Sequence, residues 1–319
     1  MARMEEMTKP RIWKLLLAFA AIYFVWGSTF LAIRIGVREV PPFLLAGMRF
    51  LVAGLVLYVW MRASGTRSPA LREWGSACLL AVLIFVFDYG LLFWAERRVP
   101  SGIAAVLLAT IPVFMTLSEI LILRTQRLSP RLAMALLAGL GGVAVLMSHT
   151  MRFGEAPIDT AGACALMVAA ISWSIASVLT RKLPLPPAKV MSSAAQMLAG
   201  GVLLMLAAIL LGEFRGFHMQ AVSRQAWFAL VYLIVAGSIV AFTAYVWLIH
   251  HESPTRVGTY AYVNPVVAVL VGYFLGGEAI GPRTIAGTIL VLVGVVVMTA
   301  PAKKRETSAW AGEPQEAEP

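Results

Sequence analysis

Ten stretches of about twenty mostly apolar residues, separated by short polar punctuation, each have the length that carries a helix across a hydrocarbon core. They run over residues 13–34, 43–61, 74–95, 101–123, 131–148, 159–180, 189–211, 226–249, 257–276 and 284–300. In a bilayer no water reaches backbone N–H and C=O groups, so such a chain folds as helices that satisfy their own backbones. Composition agrees: 60% hydrophobic residues, 13% charged ones and a mean hydropathy of +0.83 exclude an ordinary soluble domain. The fold class read here is an all-α membrane protein with ten transmembrane helices.

The formal charge of +10 does not point to nucleic acid. Basic residues stand singly at the ends of apolar runs, as positive-inside anchors do. With the N-terminus inside, seventeen Lys and Arg fall on the cytoplasmic side and eight outside, which places both termini in the cytoplasm. Residues 1–12 form a cytoplasmic N-terminal segment. The first apolar run lacks a small-x-small cleavage site, so it is read as an uncleaved helix. Residues 301–319 are polar and aperiodic, and are read as a disordered cytoplasmic tail. Cys78 and Cys164 stand alone as small packing residues, and the four histidines show no metal spacing. No cofactor, metal or nucleotide motif is present.

The chain also repeats itself. At a displacement of 147, WGSTFLAIR (Trp26 to Arg34) falls on WSIASVLTR (Trp173 to Arg181), and RFLVAGLVL (Arg49 to Leu57) on QMLAGGVLL (Gln196 to Leu204). At 153, Trp94 meets Trp247, Pro112 meets Pro265, and Gly141 meets Gly294. A longer loop, GEFRGFHMQAVSR, accounts for the change. Halves of five spans enter the membrane from opposite sides, which gives two inverted five-helix repeats over residues 13–148 and 158–300. Many secondary transporters are built this way.

WGS in the first span, RF-xx-AG in the second, and WAE-xx-VPSG-xAA before a proline-containing fourth span together resemble the EamA family of the drug/metabolite transporter superfamily. The resemblance covers about residues 13–300. It implies a multi-pass carrier of the bacterial inner membrane that works without ATP, often exporting amino acids or similar metabolites. Its partners are then a small-molecule substrate and the lipid bilayer. One departure stands out: the Gly-Glu pair often found after both the fourth and ninth helices survives only as Glu278, because the first-half position is Thr125.

Ionisable groups inside spans are costly, about 2.5–3.5 kcal/mol at mid-membrane, and need a cavity or a partner. Arg49 and Asp88 lie ~9 and ~12 Å below the outer ends of their helices at 1.5 Å per residue. Two roles are open to them: an ion pair that fixes the second helix against the third, or a place of one or both in the transport pathway, binding a substrate charge or, for Asp88, a proton. Glu119 lies ~27 Å from the outer end. Either it snorkels toward Arg124 and Arg127, or it serves as an inner gate on the face of Pro112. Glu96 with Arg97 and Arg98 marks the outer surface.

Pro112 and Pro265 are expected to kink helices and free carbonyls at matched places. Trp26 and Trp173, at equivalent mid-span positions, are expected in the pathway with Tyr260 and Asn264, four residues apart on one face. Tyr89 and Tyr245 line the same cavity or face lipid. Ala135, Ala138, Gly139 and Gly142 in the fifth span, with Gly287 and Gly294 in the tenth, offer close-approach surfaces for internal packing or for a homodimer.

Function follows as alternating-access transport, probable export being set beside uptake because sequence fixes no gradient. An enzyme would need a nucleophile-base or metal set, and none is seen; a sensor would need a sizeable output domain.

Overall fold

A computed structural model describes residues 10–99, 104, 107–148, 159–276 and 281–300, and among these no strand occurs. Glu278, His149, Arg152 and both terminal segments lie outside the described residues. Helix α1 spans Ile12–Val37, α2 Pro42–Ala63, α3 Leu71–Ala95, α4 Ile111–Leu123, α5 Pro130–Met147 and α6 Thr160–Leu179. Helix α7 spans Lys189–Leu210, α8 Arg224–His251, α9 Tyr260–Gly276 and α10 Pro282–Thr299. Among the described residues six of these, α1, α2, α3, α6, α7 and α8, are long and apolar enough to cross a membrane.

Local chemistry sets the boundaries. Proline opens α2, α5 and α10, where its missing N–H would have been unpaired anyway. Side chains of Ser129, Asp159 and Ser223 cap α5, α6 and α8. Gly65 (φ 81°) and Gly212 (φ 71°), 147 residues apart, end α2 and α7 in the left-handed conformation that glycine enters freely. Each is followed by the same closing bond, Thr66 N–H to Met61 C=O (3.0 Å) and Glu213 N–H to Ala208 C=O (2.9 Å).

Four helices are not uniformly α. Wide π turns occupy Ala21–Val25 in α1, Val82–Gly90 in α3, Glu119–Leu123 in α4 and Leu233–Phe242 in α8. These insertions, rather than the prolines, carry most of the irregularity. Pro112 sits in the first turn of α4, just after a turn at Ala109–Thr110, while Pro265 lies inside α9.

Packing places α2 on α7 and α5 on α10, with α1 against α8 and α9, and α6 against α3 and α4. Helix α3 also touches α7, and α2 touches α8. Replacing every helix by the one five places away leaves this pattern unchanged. Helices α2 and α7 run antiparallel, since Gly47 faces Met205, Leu51 faces Gly201 and Gly54 faces Leu198. The small residues of α5 and α10 are used within the chain: Gly142 approaches Val291 and Gly287, and Gly294 approaches Ala135 and Gly139. Large apolar side chains such as Leu55, Val59, Phe228 and Ile289 cover the outside, as lipid contact requires. Cys78 and Cys164 are exposed rather than packed inside.

A Cβ at Gly201 would stand 2.5 Å from the Leu51 backbone nitrogen, whereas Gly75 has open space around it. Gly201→Val should therefore lower the melting temperature in detergent by the equivalent of about 1–3 kcal/mol. Gly75→Val should leave it nearly unchanged, so equal effects of the two would contradict this packing.

Candidate functional site

Trp26 follows the π turn of α1 and points into the bundle, where its Nε1 donates to the Gly237 carbonyl of α8 at 3.1 Å. Around it the rings close on one another. Trp26 meets Tyr260 at 4.9 Å between centroids, Tyr245 at 5.3 Å and Trp173 at 5.5 Å. Trp173 in turn meets Tyr245 at 4.8 Å and Tyr89 at 5.8 Å. Edge-to-face and tilted geometries of this kind suit the aromatic quadrupole. Five sequence-predicted pathway residues from α1, α3, α6, α8 and α9 thus form one buried cluster. Tyr89 and Tyr245 face this cluster and not lipid. The Tyr245 hydroxyl hydrogen-bonds Ser177, while Trp173 Nε1 is buried without a partner.

Arg49 and Asp88 border the cluster but do not pair. Arg49 Nε donates to Ser238 Oγ at 2.8 Å, and Cζ lies 4.6 Å from the Phe50 ring and 5.2 Å from the Tyr89 ring. No ion pair links it to a carboxylate among the described residues. The expected pair fails because Ser238 and two rings hold the guanidinium instead. Asp88 is buried within the π turn of α3.

Asn264 does not offer its amide to the cluster. With its amide nitrogen turned toward them, it donates to the carbonyls of Tyr23 (3.2 Å) and Tyr260 (3.0 Å), tying α9 to the π turn of α1 ahead of Pro265. Tyr262 points away from the cluster, donating to the Leu136 carbonyl at 2.9 Å.

Glu119 pairs with neither Arg124 nor Arg127. Its Oε2 accepts from the Thr255 backbone N–H (3.0 Å) and hydroxyl (2.8 Å), and its Oε1 from the Thr125 hydroxyl (3.0 Å). One turn on, Thr259 Oγ1 donates to the Arg256 carbonyl, which leaves it to accept from the Tyr23 hydroxyl at 2.6 Å. These bonds seal one end of the bundle between α1, α4 and the segment leading into α9. Sequence reading missed Tyr23, Thr255, Thr259, Gly237 and Ser238. Their signal was the isolated polar residue in an apolar run, which is too common to rank without knowing which run faces which.

At the opposite end, just beyond α3, Glu96 is 4% exposed, although the sequence placed it at the surface. Neither carboxylate oxygen has a partner among the described residues. Burial pushes its pKa up to about 7 against the opposing pull of Arg34. Arg98 is drawn instead over the Trp94 ring (4.2 Å) and toward Asp159 (3.4 Å).

The EamA-like transporter family model matches residues 12–148 and 160–300. The chain belongs to the EamA-like transporter family. The uncharacterized inner membrane transporter YedA of Escherichia coli is 38% identical over 285 residues, covering 88% of this chain and 89% of its own. The uncharacterized transporter YoaV of Bacillus subtilis is 23% identical over 92% of this chain and 99% of its own. Protein PecM of Dickeya dadantii is 25% identical over 86% and 88%. A crystal structure of a protein 26% identical in sequence superimposes with a TM-score of 0.73, covering 91% of this chain and 97% of that one. This EamA protein is therefore a multi-pass membrane transporter of the drug/metabolite superfamily, not an enzyme.

Two measurements check this geometry. Glu119→Ala leaves a buried N–H and two hydroxyls without their acceptor, and should destabilise the protein by about 1–3 kcal/mol in a thermal melt, while Arg127→Ala has little effect. For Glu96, a carboxyl whose pKa rises from 4.5 unfolded to about 7 folded binds more protons in the native state. Stability should fall as pH rises through that window. Glu96→Gln should flatten the dependence and melt higher than wild type at pH 8, the difference vanishing near pH 4.

Proposed function

We propose that this EamA protein is a ten-span secondary transporter of the bacterial inner membrane, built from two inverted five-helix repeats, that exports a small amphipathic metabolite. The observation that carries this reading is the convergence of Trp26, Tyr89, Trp173, Tyr245 and Tyr260 on one aromatic cluster bordered by two unpaired charges. Apolar aromatic walls with a few polar groups suit an organic solute better than a hydrated ion.

The inverted repeat is supported by antiparallel α2 and α7, by the symmetry of the helix contacts, and by matched caps at Gly65 and Gly212. The surplus of Lys and Arg assigns the Glu119 end to the cytoplasm. On that assignment Glu119 is the inner gate: its bonds to Thr255, with that of Tyr23 to Thr259, hold the cytoplasmic end shut. Alternating access then requires these bonds to break and the rings to part. The π turns of α1, α3 and α8, which already depart from regular helix, are natural places for that motion. Amino acids and similar compounds match the aromatic and charged character of the residues in and around the cluster.

The test compares metabolites released by cells expressing the wild type, Trp173→Ala or no protein. Export predicts a compound enriched outside wild-type cells and reduced at least severalfold with Trp173→Ala at equal folded yield. An unchanged exometabolome would overturn export, and accumulation inside cells would reverse the direction. For that compound, Asp88→Asn should abolish acceleration by a pH gradient in proteoliposomes if Asp88 carries a coupling proton.

A further inference from the structure

Arg49 is 1% exposed, yet its Nη1 and Nη2 have no hydrogen-bond partner among the described residues. The rest of the group is held firmly: Nε by Ser238 at 2.8 Å, and the guanidinium near the Phe50 and Tyr89 rings. What remains free is its outer edge of N–H donors. Gly237 makes room for that edge, because a Cβ there would stand 2.7 Å from Nη2. A buried cation with unpaired donors is among the least favourable arrangements a fold can keep, so it calls for an anion that is not part of the chain.

We propose that Arg49 is the carboxylate-binding group of the transport site, and that the transported compound carries a carboxylate on an apolar or aromatic body. This rests on the transport reading above. A planar carboxylate matches the parallel donors of a guanidinium edge and takes two hydrogen bonds at once. The second charge of a phosphate would find no further cation among the residues bordering the cluster. The apolar body is received by Tyr89, which leans on Arg49 at 5.2 Å and touches Trp173 at 5.8 Å.

The experiment titrates the purified full-length protein in detergent with phenylacetate, phenylethylamine and inorganic phosphate by calorimetry, and records melting temperatures. Wild type should bind phenylacetate in preference to both other probes. Arg49→Lys should weaken that binding about tenfold or more, because one ammonium cannot replace the two-pronged contact. Gly237→Ala should weaken it with Arg49 intact. Arg49→Met should abolish phenylacetate binding, and with it the rise in melting temperature that phenylacetate gives the wild type; an undiminished ligand-induced rise in Arg49→Met would count against the proposal. Absence of phenylacetate binding to wild type, preference for phosphate or the amine, or unchanged affinity in both Arg49→Lys and Gly237→Ala would overturn the proposal. The last criterion stands even where Arg49→Met does not fold. The two readings fail separately: an exported compound without a carboxylate would remove the role of Arg49 and leave transport standing, while phenylacetate binding in a protein that changes no metabolite would do the reverse.

Discussion

Two helices of the first half grip one dipeptide of the second. Trp26 of α1 donates to the Gly237 carbonyl, and Arg49 of α2 donates to the neighbouring Ser238 hydroxyl, which itself donates back to the Leu233 carbonyl (3.1 Å) across a π turn. Glycine at 237 is required at this crossing, because a side chain there would meet both Arg49 and Thr29. From this junction the rest of the site is placed. Trp26 sets the aromatic cluster, the guanidinium sets its charged edge, and the wide turn of α8 brings both within reach.

The buried carboxylates show how differently a charge can be accommodated in a largely apolar bundle. Glu119 has three donors from Thr125 and Thr255 and acts as a fastener. Asp88 and Glu96, both buried, have no such set among the described residues. The fastener is also one-sided. Its counterpart under the displacement of 153 is residue 272, a glycine, so the two ends of a near-symmetric chain are not closed by the same chemistry.

Much of the bundle was legible because bilayer physics writes itself along the chain. Span limits, proline starts and glycine ends follow from backbone satisfaction, which is local. Trp26 and Trp173 were legible as cluster members because the repeat put them at one depth. That Arg49 turns to Ser238 and not to Asp88 was not legible, since equal depth says nothing about azimuth around a helix, and π turns shift that azimuth within α3 and α8. Asn264 misled for a related reason: a polar residue before a proline looks free to bind a solute, but carbonyls of its own helix and of α1 are within reach of its amide.

The sequence by itself determined an all-helical membrane chain, its family and the residue types from which the aromatic cluster is made, because hydrophobic length, charge bias and motif order are properties of the chain in one dimension. Only the tertiary structure decided which polar groups are satisfied and which are left open. Glu119 is engaged, Glu96 is buried rather than at the surface, and Arg49 turns to Ser238 instead of Asp88. The physical reason is that a hydrogen bond depends on angles and on distances of about 3 Å, which are fixed only when the helices have rotated and packed.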